Sequence, residues 1–233
     1  METTNEGTQS PTARPRVTFG LKLIQWCLGF GANLFLALPY LRRTRGMERL
    51  DPQQRYLFVA NHISLLDTIL LGALCWRAEC YPIIVLGDKS VWHANGFKKL
   101  LSSKIGFLLE RGKNNPNRIN ELQEFGRAGN EFHLVVFPEG TRGDGVNVAT
   151  CQPGVFYIAQ EARLPIVPIF IENMQLISTK TGGFHLLAGW RKMEAHFGNA
   201  VPPEKYLSLP REEFTEFVRK KILDAKSEIS THS

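Results

Sequence analysis

From residue 55 onward the chain alternates short apolar runs with longer helical patterns, and this alternation constrains the fold more than any other feature. Residues 55–60, 81–86, 105–110, 132–137 and 166–171 have strand length and apolar character, and 193–197 offers one more. Between them, 63–76, 88–102, 117–128 and 153–162 read as helices, with Pro116 and Pro153 near two of the starts and Gly96 weakening the middle of one. Residues 211–229 form a terminal helix with Phe214, Phe217, Val218 and Ile222 on one face, while 172–192 read as a long loop or excursion. Strands alternating with helices predict an α/β fold: a largely parallel or mixed central sheet flanked by helices. A chain of 233 residues fits one such domain plus tails.

The N-terminal part is of a different kind. Residues 1–16 are rich in Thr, Pro, Arg and Ser and read as a tail, with no signal-peptide pattern. Residues 17–41 are largely apolar and are followed at once by Arg42, Arg43 and Arg45. Their length is near the ~20 residues that span a bilayer. Lys22, Gln25 and Asn33 interrupt the run, and with Gly29 they fall within about 80° of arc on an ideal helix. Leu36 lies on the same stripe. One polar stripe on an apolar rod suits a helix lying in the membrane interface or a short helical hairpin; a span and a soluble core helix are the alternatives. Trp26 and Tyr40 suit the headgroup region, and the basic cluster would keep the following domain cytoplasmic. The expected organisation is a tail over 1–16, a membrane-associating helical segment with a basic flank over 17–45, and a catalytic domain over 46–233.

The formal net charge of +6 favours an anionic partner. Much of the basic excess sits beside apolar segments, which suits a membrane better than a nucleic acid. Zinc-finger, RNA-recognition and helix-turn-helix signatures are missing from the sequence, so no nucleic-acid partner is expected. Cys27, Cys75, Cys80 and Cys151 are scattered without a C-x-x-C pair, which argues against a disulfide framework or a zinc site and for a reducing compartment.

Two motifs carry chemistry. The first, Asn61-His62-Ile63-Ser64-Leu65-Leu66-Asp67, lies where an apolar strand turns into an apolar helix. Five positions along an ideal helix mean a rise of roughly 7.5 Å and a rotation of about 140°, so His62 and Asp67 cannot meet if both are helical. They can meet if His62 sits in the turn before the helix, with Asn61 or Ser64 as its cap. Asp67 would then fix the imidazole tautomer and leave the other ring nitrogen to take a proton from an alcohol. The alternative is a histidine that satisfies the backbone and an aspartate paired elsewhere. Position favours the chemical reading, because sites in open α/β sheets collect at the carboxyl ends of strands.

The second motif, Phe137-Pro138-Glu139-Gly140-Thr141-Arg142, ends another apolar strand. Gly140 permits a tight turn, Thr141 offers a hydroxyl, and Arg142 offers a planar fork of donors for a phosphate. Glu139 could fix Arg142 or bind an acceptor hydroxyl. Arg111, after the run at 105–110, supplies a second cation in a similar place. The competing reading is a turn stabilised by its own Glu–Arg pair. His93, His133, His185, His196 and His232 show no metal-ligand spacing, and no metal is expected. P-loop, G-x-G-x-x-G and G-x-S-x-G signatures are missing as well.

In these residues the chain resembles the glycerolipid acyltransferases, specifically the 1-acyl-sn-glycerol-3-phosphate acyltransferases and their lysophospholipid relatives. Four blocks carry the resemblance across roughly residues 50–205: His62 to Asp67 after Asn61, Gly106 to Arg111, Phe137 to Arg142, and Leu164-Pro165-Ile166-Val167-Pro168-Ile169. Gln152-Pro153-Gly154 is similar to a helix start of that family. The resemblance implies that His62 is the general base and Asp67 its partner. It implies that Arg111, Glu139, Gly140, Thr141 and Arg142 bind the acceptor, above all its phosphate. No cofactor is implied; the co-substrate is an acyl thioester of coenzyme A or acyl carrier protein. Glu110 departs from the family pattern and leaves the acceptor headgroup open. The implied reaction is acyl transfer to a lysophospholipid hydroxyl, with lysophosphatidate the first choice, at a membrane surface; a non-catalytic lipid-binding protein on the same scaffold is the alternative.

Overall fold

The computed structural model describes residues 17–89, 105–109, 117–178, 185 and 187–227. Within these residues seven strands form one sheet: β1 Leu41–Arg45, β2 Leu57–Ala60, β3 Ile83–Asp88, β4 Gly106–Leu109, β5 His133–Val136, β6 Ile166–Glu172 and β7 Met193–Phe197. Their order across the sheet is β1-β7-β6-β2-β5-β3-β4. β7 runs antiparallel to β6 and parallel to β1, whereas the neighbours from β6 to β4 are all parallel. The sheet is therefore mixed.

Helices cover both faces. α1 spans Phe19–Tyr40, α2 Leu65–Arg77, α3 Arg118–Arg127, α4 Gly154–Ala162 and α5 Arg211–Ser227. The central strand β2 shows why two layers of helix are needed. Phe58 and Ala60 pack into one core with Leu70, Leu71 and Leu74 of α2, while Leu57 and Val59 pack into a second with Phe125 of α3, Ile158 of α4 and Phe214 of α5. Alternate side chains of a strand point to opposite faces, and here both sets are apolar and fully buried. The two parallel neighbours of β2 bring the loops after β2, β5 and β6 to one end of the sheet.

Two sequence expectations change. Arg42, Arg43 and Arg45, read as the flank of a membrane segment, belong to β1, an edge strand paired with β7. Beyond the exposed Lys22, the polar stripe of α1 faces the protein rather than water. Gln25 is buried, and its side chain both donates to Ile83 O and accepts from Ile83 N, at 2.8 Å each. These bonds satisfy the first residue of β3, where β4 does not yet reach, its pairing beginning at Val85. Gly29 lies against Trp76 of α2, and a Cβ there would come 2.5 Å from the Trp76 Cβ. Leu36, the residue that spoiled the stripe, is buried in the α2 core. The face left outward is the apolar one, with Phe19 82% and Phe35 77% exposed alongside Leu23, Trp26, Phe30, Leu34 and Leu38. The 22 residues of α1 are long and apolar enough to cross a membrane. A π-helical turn at Asn33–Ala37 precedes Pro39, which has no N–H to give the helix. Of the helix expected over 88–102, Asp88 ends β3 and residues 90–102 lie outside the described residues.

Candidate active site

His62 stands between β2 and α2 and is not helical. Ser64 is the N-cap of α2: its Oγ accepts from the Leu66 N–H at 3.2 Å. Asp67, at the third helical position, closes a capping box by accepting from the Ser64 N–H at 2.8 Å. The same oxygen, Oδ2, bonds His62 Nδ1 at 2.9 Å and accepts from the Ile63 N–H. One buried carboxylate thus starts the helix, folds the preceding turn and orients the imidazole. With Nδ1 donating to Asp67, Nε2 is the basic nitrogen, and it has no partner among the described residues. The His62 side chain is 20% exposed and that of Asp67 is 0% exposed.

The turn after β5 grips His62 at three points. The Phe137 ring stacks on the imidazole with centroids 4.3 Å apart. Glu139 Oε1 accepts from the His62 N–H at 2.8 Å. The Gly143 N–H donates to the His62 carbonyl at 2.6 Å. Glu139 Oε2 accepts from the Ala149 N–H at 2.9 Å, so Glu139 ties the two loops together by their backbones. It is 2% exposed; burial pushes its carboxyl above the ordinary range, against the lowering effect of those two amide bonds. Each of its oxygens accepts from main chain, and the Glu139–Arg142 pair expected from the sequence does not occur among the described residues. Gly140 has φ +67°, a left-handed conformation that explains the glycine. Thr141 is exposed, and Arg142 is partly exposed with no hydrogen bond or ion pair among the described residues. Arg111 and Glu110 lie outside the described residues.

Other residues escaped the sequence reading. Asn61 does not cap α2. Its amide donates to Ile171 O at 2.9 Å and accepts from Ile171 N at 2.7 Å, extending the β2–β6 ladder by one side chain. Ser64 Oγ also donates to Ser178 Oγ at 2.8 Å, linking the helix start to the excursion after β6. Ser178 sits in a stretch without periodicity, so no signal could have found it. Beside Leu66, an apolar cleft of about 360 Å³ opens between α1 and α2, lined by Ala32, Phe35, Leu36, Tyr40, Leu66, Ile69 and Ile177.

None of the buried cysteines is an activated thiol: burial pushes Cys75 upward, Cys80 to about 11 and Cys151 to about 12. One group of metal-type ligands occurs among the described residues, Glu172, Glu194 and His196, with its ligand atoms within 4.8 Å of one another. It lies on the α5 side of the sheet, where Lys226 Nζ is 2.8 Å from Glu172 and Arg42 is 3.9 Å from Glu194. Those side chains balance its charge without an ion.

The histidine, the aspartate and the turn after β5 all lie within a region that matches a known family. The family model described as Acyltransferase matches residues 42–172. The chain belongs to the acyltransferase family. This family member is 34% identical over 157 residues to the lyso-ornithine lipid O-acyltransferase of Pseudomonas aeruginosa, an alignment covering 64% of the chain and 53% of that relative. It is 28% identical over 216 residues to the 1-acyl-sn-glycerol-3-phosphate acyltransferase of Saccharomyces cerevisiae, covering 89% of the chain and 67% of the relative. With respect to those two relatives, the matched region is thus about half to two thirds of their length. The crystal structure of the 1-acyl-sn-glycerophosphate acyltransferase PlsC from Thermotoga maritima superposes with a TM-score of 0.63 at 19% identity, over 89% of this chain and 81% of that one. At that identity the likeness speaks for the fold.

Proposed function

We propose that the protein transfers a fatty acyl group from an acyl thioester to the free hydroxyl of a lysophospholipid, with 1-acyl-sn-glycerol-3-phosphate as acceptor and phosphatidate as product. The observation that carries this reading is the His62–Asp67 pair gripped by the turn after β5, within a chain that belongs to the acyltransferase family. His62 Nε2 takes the proton of the acceptor hydroxyl. The oxygen bonds to the thioester carbonyl carbon, the C–S bond breaks, and the departing sulfur receives the proton from His62. No covalent acyl-enzyme is needed, in keeping with buried thiols held in their protonated form. Arg142, and Arg111 beyond the described residues, bind the acceptor phosphate. Glu139 acts through His62 and is a positioning residue. Gly140 shapes the turn, and Thr141 offers a hydroxyl beside the phosphate.

The cleft beside Leu66 is apolar and falls in the ~300–1,000 Å³ range of ligand sites. It is suited to an acyl chain, and α1 brings it to the bilayer where lysolipid and product reside. The arginines after α1 favour a catalytic face on the cytoplasmic side. The donor is the acyl thioester of coenzyme A or of acyl carrier protein. A second acceptor, a lyso-ornithine lipid, is favoured by the name of the Pseudomonas relative.

The test is thiol release from acyl-coenzyme A and from acyl carrier protein by the purified protein, across a panel of acceptors. Release that requires lysophosphatidate and is lost in His62→Ala supports the reading. Release with lyso-ornithine lipid alone moves the acceptor. If no lysolipid supports turnover, a lipid-binding protein is left, and full activity in His62→Ala removes the base assignment.

A further inference from the structure

The excursion between β6 and β7 carries a second apolar surface that neither fold nor catalysis explains. Leu187 is 91% exposed and Trp190 57% exposed. Large apolar side chains so placed are costly in water, and in the turn 187–190 they are not loosely held. The His185 N–H donates to Ile177 O at 2.7 Å, the Lys192 N–H to Gly189 O at 3.1 Å, and Asn173 Nδ2 to Lys192 O at 3.0 Å. Gly189 lies so close to the buried Ile177 that a Cβ would collide with its side chain. The turn is packed inward through Gly189 and presents Leu187 outward.

Its position adds the second point. Trp190 meets Tyr40, in the last turn of α1, edge to face at 5.9 Å, and the Arg191 N–H donates to Pro39 O at 3.1 Å. The apolar turn is thus continuous with the exposed end of α1, where Phe35 and Leu38 face outward. Tyr40 and Ile177, the two residues that hold the turn, also line the apolar cleft. Two exposed basic residues, Arg191 and Lys192, stand just before β7 at this junction. The parallel β1–β7 register, with Leu41 opposite Met193, sets them level with the end of α1, whereas Arg42 and Arg43 lie beyond that pair, Arg42 being 3.9 Å from Glu194.

We propose that the turn 187–190 is a second membrane-contacting element, which inserts Leu187 and Trp190 into an anionic bilayer beside the end of α1 while Arg191 and Lys192 meet lipid phosphates. This rests on the reading of the protein as an enzyme acting at a bilayer, and it goes further by giving the membrane contact two points and therefore an orientation. A tryptophan at the headgroup level with a leucine beyond it and basic residues around it is the composition of an interfacial anchor.

The test uses the full chain in vesicles of phosphatidylcholine with or without phosphatidylglycerol. An environment-sensitive fluorophore is attached at Leu187→Cys, and separately at Phe35→Cys, in a Cys27→Ser background; Cys27 is exposed whereas Cys75, Cys80 and Cys151 are buried. Brominated lipids are expected to quench both probes. Quenching at position 187 should depend on phosphatidylglycerol and be lost in Arg191→Glu/Lys192→Glu. In unlabelled protein, Leu187→Asp should weaken vesicle partition roughly tenfold. A probe at 187 that stays in water while the probe at 35 is quenched overturns the proposal, as does unchanged partition of Leu187→Asp. Quenching at neither position overturns it together with the bilayer setting, and turnover of micellar lysophosphatidate then tests the chemistry by itself.

Discussion

Glu139→Gln separates two roles that one residue could have at this site. If Glu139 positions His62 through its backbone, the substitution should cost stability and turnover together. Both carboxylate oxygens accept from main-chain N–H groups, at 2.8 and 2.9 Å, in a place that is 2% exposed. Glutamine has the same shape but one acceptor, so the His62 or the Ala149 amide then faces an NH₂ group. A hydrogen bond to a charged group contributes about 1.5–3 kcal/mol, and an unsatisfied buried donor costs a similar amount. Relief of the buried charge, which pushes the carboxyl upward, offsets part of this. The net loss is then about 1–2 kcal/mol, or a fall in Tm of roughly 2–8 °C for a domain of this size. Misplacement of a reacting group by about 1 Å can cost 10²-fold in rate, so kcat should fall by about 10–10²-fold. The KM for the acceptor should change little. Thermal unfolding and steady-state kinetics in both substrates decide the matter. A raised acceptor KM with unchanged Tm and kcat would mean that Glu139 touches the acceptor and that its amide bonds are incidental.

The other expectations are read from single contacts. Asp67→Asn places an amide where His62 Nδ1, Ile63 N and Ser64 N all donate, so it should favour the wrong imidazole tautomer and lower kcat roughly 10³-fold or more, and a loss below tenfold contradicts the orienting role. Arg142→Ala should raise the KM for a phosphorylated acceptor about tenfold or more with little change for the thioester; equal effects on both substrates would remove its phosphate role. Gly29→Val forces a side chain into Trp76 and should loosen α1 from α2, seen as faster proteolysis within α1 and a lower Tm, whereas an unchanged pattern would show that α1 does not depend on that crossing. His133 is buried beside Arg55, and desolvation first, then that guanidinium, push its pKa from 6.5 down to about 3. The unfolded state therefore binds the extra proton, and stability falls as pH drops below 6.5 until about 3. Between pH 7 and 5 the loss is on the order of 2 kcal/mol. Urea midpoints at the two pH values should show it, and His133→Gln should flatten it; an equal slope in the variant assigns the acid limb to other groups.

How much was legible in the sequence depended on whether a residue acts through its own periodicity or through a distant partner. The strands β2, β3, β5 and β6 showed themselves as apolar runs because both their faces are buried. The His62 turn was derivable, since helix geometry forbids the contact with Asp67 in any other arrangement. β1 was hidden because an edge strand of Leu-Arg-Arg-Thr-Arg has no apolar alternation and exists through its pairing with β7. Glu139 was legible as important but its bonds to the two loops were not, because the donors, His62 N and Ala149 N, are backbone groups and leave no trace in side-chain identity. Asn61 misled for the same reason: an asparagine before a helix reads as a cap, and its true partner lies across the sheet at Ile171.

The polar stripe of α1 carries the same lesson into function. A helix on a membrane ordinarily turns its polar face to water and its apolar face to lipid. In α1 most of the polar stripe is used up by the protein: Gln25 satisfies Ile83, Gly29 admits Trp76, and the stripe ends in buried Leu36 and Tyr40, which leaves Lys22 exposed near its start. One lysine is not a polar face that fixes the rotation of the helix in the interface. Its rotation is fixed by β3 and α2, the element that begins beside His62. A bilayer that takes up the exposed face of α1 thereby takes hold of the catalytic layer of the sheet, with no hinge between anchor and base. The depth of His62 relative to lipid is then a property of the fold, and substitutions at the α1–α2 crossing should alter activity on vesicles more than activity on micelles.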